Sequence, residues 1–285
     1  MRAAHGWHVV VLIAMLFATQ AAAGPQRVVS ASLCTDEYIF RLLPRSRIAA
    51  LSFLSADTHP IVSTIALEVR GIPLVHASTE EILARRPDLV VMYAGTEPRL
   101  HAQLREAGVP AFDVPWAQSL SDIRGVTLDL GRALGVERRA QALLAQMDSR
   151  LARLVRPAPP VRTLIYEPNG YATADGVTDE IMHAAGLVDA SQGEGATRAG
   201  TVPVENVVAS PPELLLLNGA EEEHPALADL VLGHPALASL KSRVMVAHVA
   251  LTSLLCPGPW SADAVAPLAD FGRRARRLAL SRRRP

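Results

Sequence analysis

Short apolar runs alternate with helical patterns along the first part of the chain. Three of these runs have the length and the branched side chains of buried strands: 27–32, 48–53 and 89–93. Between them, Ser78 and Glu81 have the Ser-x-x-Glu spacing of a helix-starting capping box. Strands that alternate with helices indicate a parallel sheet covered by helices. The sequence therefore predicts an α/β lobe over residues 24–120.

The middle of the chain has a different pattern. Apolar residues follow helical spacing over 121–134 and again over 137–154. The second helix would be about 27 Å long at 1.5 Å per residue, which is enough to span two lobes. We therefore expect a connecting helical segment, 121–156, and a second α/β lobe with an arginine-rich tail, 157–285.

A weak internal repeat supports this two-lobed plan. EEILARRPDL at 80–89 matches ENVVASPPEL at 205–214, with Glu, Ala, Pro and Leu at corresponding positions. Thr-Asp-Glu also occurs early in each lobe, at 35–37 and at 178–180. The same order in both lobes favours a duplicated architecture.

The N-terminus has the three parts of a secretion signal. Arg2 precedes an apolar run, 9–18, which is followed by small residues at 21–24. This run is about half the length of a membrane-spanning helix. We predict a cleaved signal peptide, 1–23, and a freely soluble secreted protein. Lipid anchoring is not expected, because the first cysteine is Cys34.

Charge and motifs exclude several functions. Residues 24–285 carry 27 basic and 28 acidic residues without an interior basic cluster, so nucleic acid is not an expected partner. Seven of the arginines lie in the last fifteen residues, predicted to be a solvated, frayed end, with partner binding as the alternative. Hydrolase, phosphate-loop, dinucleotide and zinc-protease motifs are absent, and the histidines are dispersed. We therefore predict no catalytic residue, metal site or cofactor. The alternative interpretation is a secreted enzyme that uses Cys34 with a nearby histidine.

Four aromatic residues are candidates for ligand contact. Tyr93 ends a predicted strand, Tyr171 follows the first strand of the second lobe, and Trp116 and Trp260 occupy proline-containing loops, one in each lobe. Loops after the carboxyl ends of parallel strands face the ligand crevice. We therefore expect these rings to line one cleft that suits a large flat or polycyclic ligand. The alternative is that each ring caps the core of its own lobe.

The order of the motifs resembles a known family. RVVSASLCTDEYIF, ARRPDLVVMYAG, YEPNGYATADGVTDEIMHAAGL, VPVENVVASPPELLLL and HPAL are similar to segments of periplasmic solute-binding proteins of cobalamin and ferric-siderophore ABC importers. The likeness covers nearly all of the mature chain. It implies two Rossmann-like lobes joined by a backbone helix, with the ligand between them. It also implies that Glu80 and Glu205 dock onto arginines of the membrane permease, although both could simply complement a helix dipole.

The resemblance also bears on the cargo and the partners. It implies a transported corrinoid or neutral ferric chelate, an inner-membrane permease with its ATPase, and a monomer. Only Arg99 and Arg198 could meet a strongly anionic catecholate. Haem is the alternative cargo, with Tyr93, His59 or Tyr171 as its axial ligand, and a partner or sensor protein without small ligand is a third reading. Oxidising surroundings allow a disulfide between Cys34 and Cys256 across the lobes. Because such a cargo would separate the lobes, we expect the two cysteines to remain unbridged thiols.

Overall fold

The computed structural model describes residues 24–59, 61–153, 156–172, 176–191, 200–219 and 226–282. The predicted signal peptide, Arg198 and the last three residues lie outside these ranges, so cleavage of the signal peptide stays a prediction.

The first sheet has five parallel strands in the order β3-β2-β1-β4-β5. The strands are β1 (Val28–Ser30), β2 (Ile48–Ser52), β3 (Leu74–Val75), β4 (Leu89–Tyr93) and β5 (Ala111–Val114). The helices that connect them are α1 (Leu33–Leu42), α2 (Thr79–Ala84) and α3 (Pro98–Glu106). All five residues of β4 are buried because helices cover both faces of the sheet, which is why this strand is a continuous apolar run.

The second sheet has four parallel strands in the order β7-β6-β8-β9. The strands are β6 (Val161–Tyr166), β7 (Leu187–Asp189), β8 (Leu214–Asn218) and β9 (Met245–Val249). The helices of this part of the chain are α6 (Gly176–Ala184), α7 (Val204–Ala209), α8 (Pro235–Ser239), α9 (Thr252–Leu255) and α10 (Val265–Arg282). The two repeated sequence segments occupy corresponding places, since each forms a six-residue helix, α2 or α7, and leads into the strand beside the first strand of its lobe.

Two helices, α4 (Leu120–Ala133) and α5 (Glu137–Ala152), connect the sheets. Along α5, Ala140 and Leu143 pack in the first core, whereas Leu144 and Met147 pack in the second. One helix therefore contributes to both cores. The predicted fold class, two α/β lobes joined by a long backbone helix, is confirmed.

The segment between α9 and α10 departs from the prediction. The sequence predicts that residues 256–260 belong to the second lobe. In the structure, Cys256 and Trp260 are buried in the core of the first lobe. The Trp260 ring packs 4.7 Å from the Tyr38 ring, centroid to centroid, and a side chain at Gly258 would meet the indole at 2.3 Å. The packing of Trp260 on Tyr38 and its close contact with Gly258 thus hold this segment in the first lobe, whereas α10, which follows it, packs in the second.

This crossing also corrects the expectation for the cysteines. Cys34, in the first turn of α1, and Cys256 form a disulfide with a Cα–Cα distance of 4.9 Å. The prediction of two unbridged thiols is wrong because Cys256 lies in the first lobe, on the same side of the cleft as Cys34. A disulfide-bonded cysteine has no thiolate to act as a nucleophile. The structure therefore does not support the alternative interpretation, a secreted enzyme that uses Cys34.

The arginine-rich tail is helical as far as the structure describes it. Residues up to Arg282 continue α10, and the predicted frayed end is therefore wrong for this part. Small and apolar residues on one side of the helix, including Leu268, Gly272 and Ala275, are buried and fix it to the second lobe. Within the described ranges, no helix is long and apolar enough to cross a membrane.

Candidate ligand cleft

Aromatic side chains gather at the carboxyl edge of the first sheet. Phe53 follows β2, His76 follows β3, Tyr93 ends β4, and Trp116 lies two residues after β5. The Phe53 and His76 rings lie 4.6 Å apart between centroids, and those of Tyr93 and Trp116 lie 5.2 Å apart. Phe53 and Trp116 are about half exposed, at 47% and 50%. Large rings that remain exposed at this edge provide broad apolar contact area for a ligand.

A cavity of about 380 Å³ opens at the carboxyl edge of the second sheet. Six of its nine lining residues are aliphatic, but the polar groups of the other three make up most of the wall surface. The lining residues come from the ends of β6 and β8, from the segments and helices that follow the strands of the second sheet, and from one position of the first lobe: Ile61, Ile165, Glu167, Pro168, Thr178, Asn218, Leu251, Leu254 and Leu255. Because Ile61 belongs to the loop after β2, both lobes contribute to the cavity. The cavity therefore lies in a cleft between the lobes.

Asn218 organises the polar side of this cavity. Its Nδ2 donates to Oε1 of Glu167 at 2.7 Å, and its Oδ1 accepts from the backbone N–H of Leu251 at 2.9 Å. One amide thus ties together the loops that follow β6, β8 and β9. The result is a carboxylate and an amide in fixed positions beside aliphatic side chains, an arrangement that can orient a ligand through polar contacts.

The segment that follows Trp116 packs against a helix of the second lobe where α4 begins. The backbone N–H of Leu120 donates to Oε2 of Glu180 at 2.9 Å, so a residue of α6 satisfies the start of α4. A side chain at Gly176, whose φ is +53°, would meet the carbonyl oxygen of Gln118 at 3.0 Å. The segment that follows Trp116 is thus packed against the helix that carries Thr178 of the cavity wall.

The four predicted ligand-contact residues have three different environments. Tyr93 and Trp116 pair at the cleft edge, but Tyr93 is only 6% exposed, and burial raises the pKa of its phenol to about 12. Tyr171 is 45% exposed and follows the turn of Pro168 in the second lobe. Trp260 is 2% exposed inside the first lobe, and its predicted place on the cleft wall of the second lobe is wrong.

Sequence reasoning missed Phe53 and His76. Both follow the carboxyl ends of strands, so the rule that selected Tyr93 and Tyr171 also applies to them. The imidazole Nδ1 of His76 lies 3.2 Å from Oε1 of Glu81, and the backbone N–H of His76 donates to Oε2 of Glu81 at 2.8 Å. The Glu81 carboxylate, expected to complete a capping box, instead fixes the orientation of this ring, although Ser78 does accept a bond from the Glu81 N–H at 3.3 Å.

Two buried carboxylates at the start of α1 hold the loops of the first lobe. Glu37 accepts from the backbone N–H of Thr64 at 2.9 Å and from its hydroxyl at 2.6 Å, and it pairs with Arg41. These contacts fix the loop that carries Ile61. Asp36 accepts from the N–H and hydroxyl of Ser52, and burial raises its pKa to about 8 despite these hydrogen bonds.

The two candidate docking residues occupy equivalent positions. Glu80 is the second residue of α2 and Glu205 the second residue of α7, and both are exposed. Both helices start on the carboxyl side of a parallel sheet, the side on which the cleft opens. In the part of the chain that the structure describes, no hydrogen bond or ion pair occupies either carboxylate.

Two α/β lobes with a cleft between the carboxyl edges of their sheets define the class of two-lobed binding proteins. The model of a family described as periplasmic binding protein matches residues 75–242, more than half of the chain. The chain belongs to this family. Comparison with curated proteins finds no match. Among the described residues, no group of three or more His, Cys, Asp or Glu side chains could hold a metal ion.

Solved structures share the fold over most of the chain. The periplasmic heme-binding protein RhuT from Roseiflexus sp. RS-1 is 24% identical, with a TM-score of 0.66 over 88% of this chain and 99% of that one. A periplasmic heme-binding protein from Pseudomonas aeruginosa is 25% identical, with a TM-score of 0.61 over 87% and 93%. The vitamin B12 binding protein BtuF of Vibrio cholerae is 19% identical, with a TM-score of 0.60 over 88% and 98%.

Proposed function

We propose that this protein binds a large metal chelate in the periplasm and delivers it to an ABC importer of the inner membrane. The observation that carries the proposal is the row of rings at the carboxyl edge of the first sheet, together with a cavity at the carboxyl edge of the second sheet whose wall combines aliphatic side chains with the polar groups of Glu167, Thr178 and Asn218. The exposed rings provide the apolar contact area that a flat or polycyclic ligand buries, and the polar groups of the cavity can orient its substituents. A corrinoid or a neutral ferric chelate is the primary candidate, as cargo and not as cofactor.

The cargo assignment is tested by equilibrium dialysis of the mature protein against cobalamin, cobinamide, haemin and a ferric hydroxamate. Trp116→Ala should weaken binding of the retained ligand by about 1 to 3 kcal/mol, the range for a well-placed aromatic anchor. Leu280→Ala is the control, because Leu280 is similarly exposed, at 57%, and lies near the end of α10, where Arg282 contacts Lys241 before β9 on the side of the sheet away from the cleft. Equal affinities of both variants and the parent would remove the aromatic edge from the ligand site.

One observation favours haem as a second candidate. The Nδ1 atom of His76 faces a carboxylate, which leaves Nε2 as the atom to meet an iron, and metal-binding histidines usually carry such a partner. Phe53 beside it provides a surface for a porphyrin plane. Tyr93 fits less well as the axial ligand, because its raised pKa opposes the phenolate form.

The haem candidate has its own test. His76→Ala should lower haemin affinity at least about tenfold and shift the Soret band of the complex, because loss of an axial ligand changes the iron coordination. His183→Ala is the control, since His183 lies in the last turn of α6, away from the carboxyl edge. Cobalamin binding with no haemin binding would decide for the corrinoid.

Glu80 and Glu205 are proposed to dock onto the permease, whose ATPase drives transport, with the binding protein acting as a monomer. Their equivalent positions, exposure and location beside the cleft support this assignment. Replacing both by Ala should abolish uptake in cells and leave ligand affinity within about tenfold of the parent, a difference of about 1.4 kcal/mol. Glu68→Ala with Glu106→Ala removes two exposed carboxylates elsewhere and should preserve uptake. Unchanged uptake in the first pair would refute docking.

A further inference from the structure

A second cavity, of about 400 Å³, lies beside α5, and we call it the α5 pocket. The end of α1, one face of α5 and the helical turn Pro259–Ala264 enclose it. It shares no lining residue with the cleft cavity. Five of its lining residues follow helical spacing along α5: Arg139, Ala142, Leu143, Gln146 and Arg150. A volume of this size is sufficient for a small organic ligand.

Three guanidinium groups line the α5 pocket, and two of them have a carboxylate partner. Arg41 pairs with Glu37, and Nε of Arg150 lies 2.9 Å from Oδ1 of Asp263. Among the described residues, no carboxylate pairs with Arg139. The arginines of the pocket and their partners therefore have one uncompensated positive charge, which lies on Arg139.

A backbone contact holds the Arg139 side chain at the pocket. Its Nε donates to the carbonyl oxygen of Arg41 at 2.6 Å. This oxygen is one of the last four carbonyls of α1, which have no partner within the helix. The bond occupies one nitrogen of the guanidinium and leaves the two terminal nitrogens, which can donate two parallel hydrogen bonds to one carboxylate.

The rest of the wall combines apolar surface with partly desolvated charge. Phe40 and Leu143 are half-buried, and the Arg41 guanidinium lies 4.6 Å from the centroid of the Trp260 ring. Burial raises the pKa of the Asp263 carboxyl, although Arg150 and Arg41 act in the opposite direction. Water therefore solvates the charges of this pocket less than those of an open surface, and a hydrogen bond to a guanidinium is stronger here.

We propose that the α5 pocket binds a small organic carboxylate, with the carboxylate on Arg139 and the apolar part of the molecule against Phe40 and Leu143. One carboxylate balances the single uncompensated charge, whereas a doubly charged phosphate would exceed it. Because the pocket and the cleft cavity share no lining residue, both can be occupied at once. The proposal is therefore independent of the cargo.

The test is equilibrium dialysis of the mature protein against naphthoate, an aromatic carboxylate, and against naphthamide, which has the same shape without the charge. Naphthoate should bind saturably, with one ligand per chain, and naphthamide at least about tenfold more weakly. Arg139→Gln should lower naphthoate affinity at least about tenfold. Arg138→Gln is the matched control, since it removes the same charge from the neighbouring position of α5, which is exposed and does not line the pocket, and it should bind like the parent.

A second variant separates binding from folding, because Arg139→Gln also removes the contact with α1. Ala142→Phe fills the pocket from the exposed face of α5, keeps every charge, and should also lose naphthoate binding. Thermal unfolding of this variant near the temperature of the parent would establish that its fold is intact.

Four results would overturn the proposal. The first is the absence of saturable naphthoate binding, and the second is equal affinity for naphthamide, which would exclude recognition of the carboxylate. An equal loss in Arg138→Gln and Arg139→Gln would show that net charge alone acts. Loss of naphthoate binding in Trp116→Ala with none in Ala142→Phe would place the probe in the cleft.

Discussion

Removal of the disulfide by Cys34→Ser with Cys256→Ser should destabilise the protein without abolishing its fold. The bond joins residues 222 apart in sequence and links α1 to the segment between α9 and α10. In the native state, other contacts hold the same segment, because the Trp260 ring packs on Tyr38 and the Tyr38 hydroxyl donates to the carbonyl oxygen of Pro257 at 3.1 Å. The disulfide therefore acts mainly on the unfolded chain.

The size of the effect follows from the length of the closed loop. Closing a loop of this length removes about 18 cal/mol/K of entropy from the unfolded chain, or about 5 kcal/mol at 25 °C. The free energy of unfolding of the double variant should therefore be lower by about 4 to 5 kcal/mol. Ligand affinity should stay within about tenfold of the parent, since the contacts of Trp260 continue to position Leu254 and Leu255.

The assay is guanidinium unfolding of the parent, with and without reductant, and of the double variant. The parent unfolded under reducing conditions should match the variant, because both chains then lack the loop. A thiol count on the denatured, unreduced parent should find no reactive thiol. Two reactive thiols, or equal unfolding midpoints for the oxidised parent and the variant, would refute the assignment.

Three further predictions concern residues in the first lobe. Burial raises the pKa of Asp36 to about 8, above its value in an unfolded chain. The free energy of unfolding should therefore fall as pH rises from about 4 to 8, by up to about 1.4 kcal/mol per pH unit. Asp36→Asn should flatten this slope in denaturation curves measured over the same pH range. Trp260→Ala should lower the free energy of unfolding by about 3 to 5 kcal/mol, because the ring lies in the core. Ligand affinity should stay within about tenfold of the parent, because the disulfide still holds the segment that carries Leu254 and Leu255; a larger loss of affinity with unchanged stability would place the ring in the site. Glu37→Gln leaves Arg41 without its counterion and should cost about 2 kcal/mol in thermal or chemical unfolding; no loss would mean that this buried pair contributes little.

Local sequence patterns were sufficient for most elements of the two lobes. The strand at 89–93 was predicted with its observed bounds, and the helix predicted over 137–154 is observed as α5, which the structure describes to Ala152. One segment is fully buried and the other is long, and residues that break regular structure flank both. The hydrophobic periodicity and the flanking residues therefore predict the same element bounds. The repeated segments at 80–89 and 205–214 likewise mark equivalent helices.

The crossing at residues 256–260 could not be read from such patterns. Two neighbouring cores accept a tryptophan equally well, and hydropathy does not say which core receives Trp260. The disulfide depends on a distance between residues 222 apart, which only the tertiary fold sets. Phe53 and His76 could have been predicted as ligand-contact residues, since both follow strand ends. They were missed because only Trp and Tyr residues were considered.

The most direct test of the proposed function is a fluorescence titration of the mature protein. It contains two tryptophans, Trp116 at the cleft edge and Trp260 in the core. Cobalamin, cobinamide, haemin and a ferric hydroxamate all absorb light and should quench tryptophan emission when bound nearby, with free tryptophan as the control for absorption by the solution. The account predicts saturable quenching by at least one of these chelates, with one ligand per chain and reduced affinity in Trp116→Ala. Quenching no greater than that of free tryptophan for every chelate would contradict it.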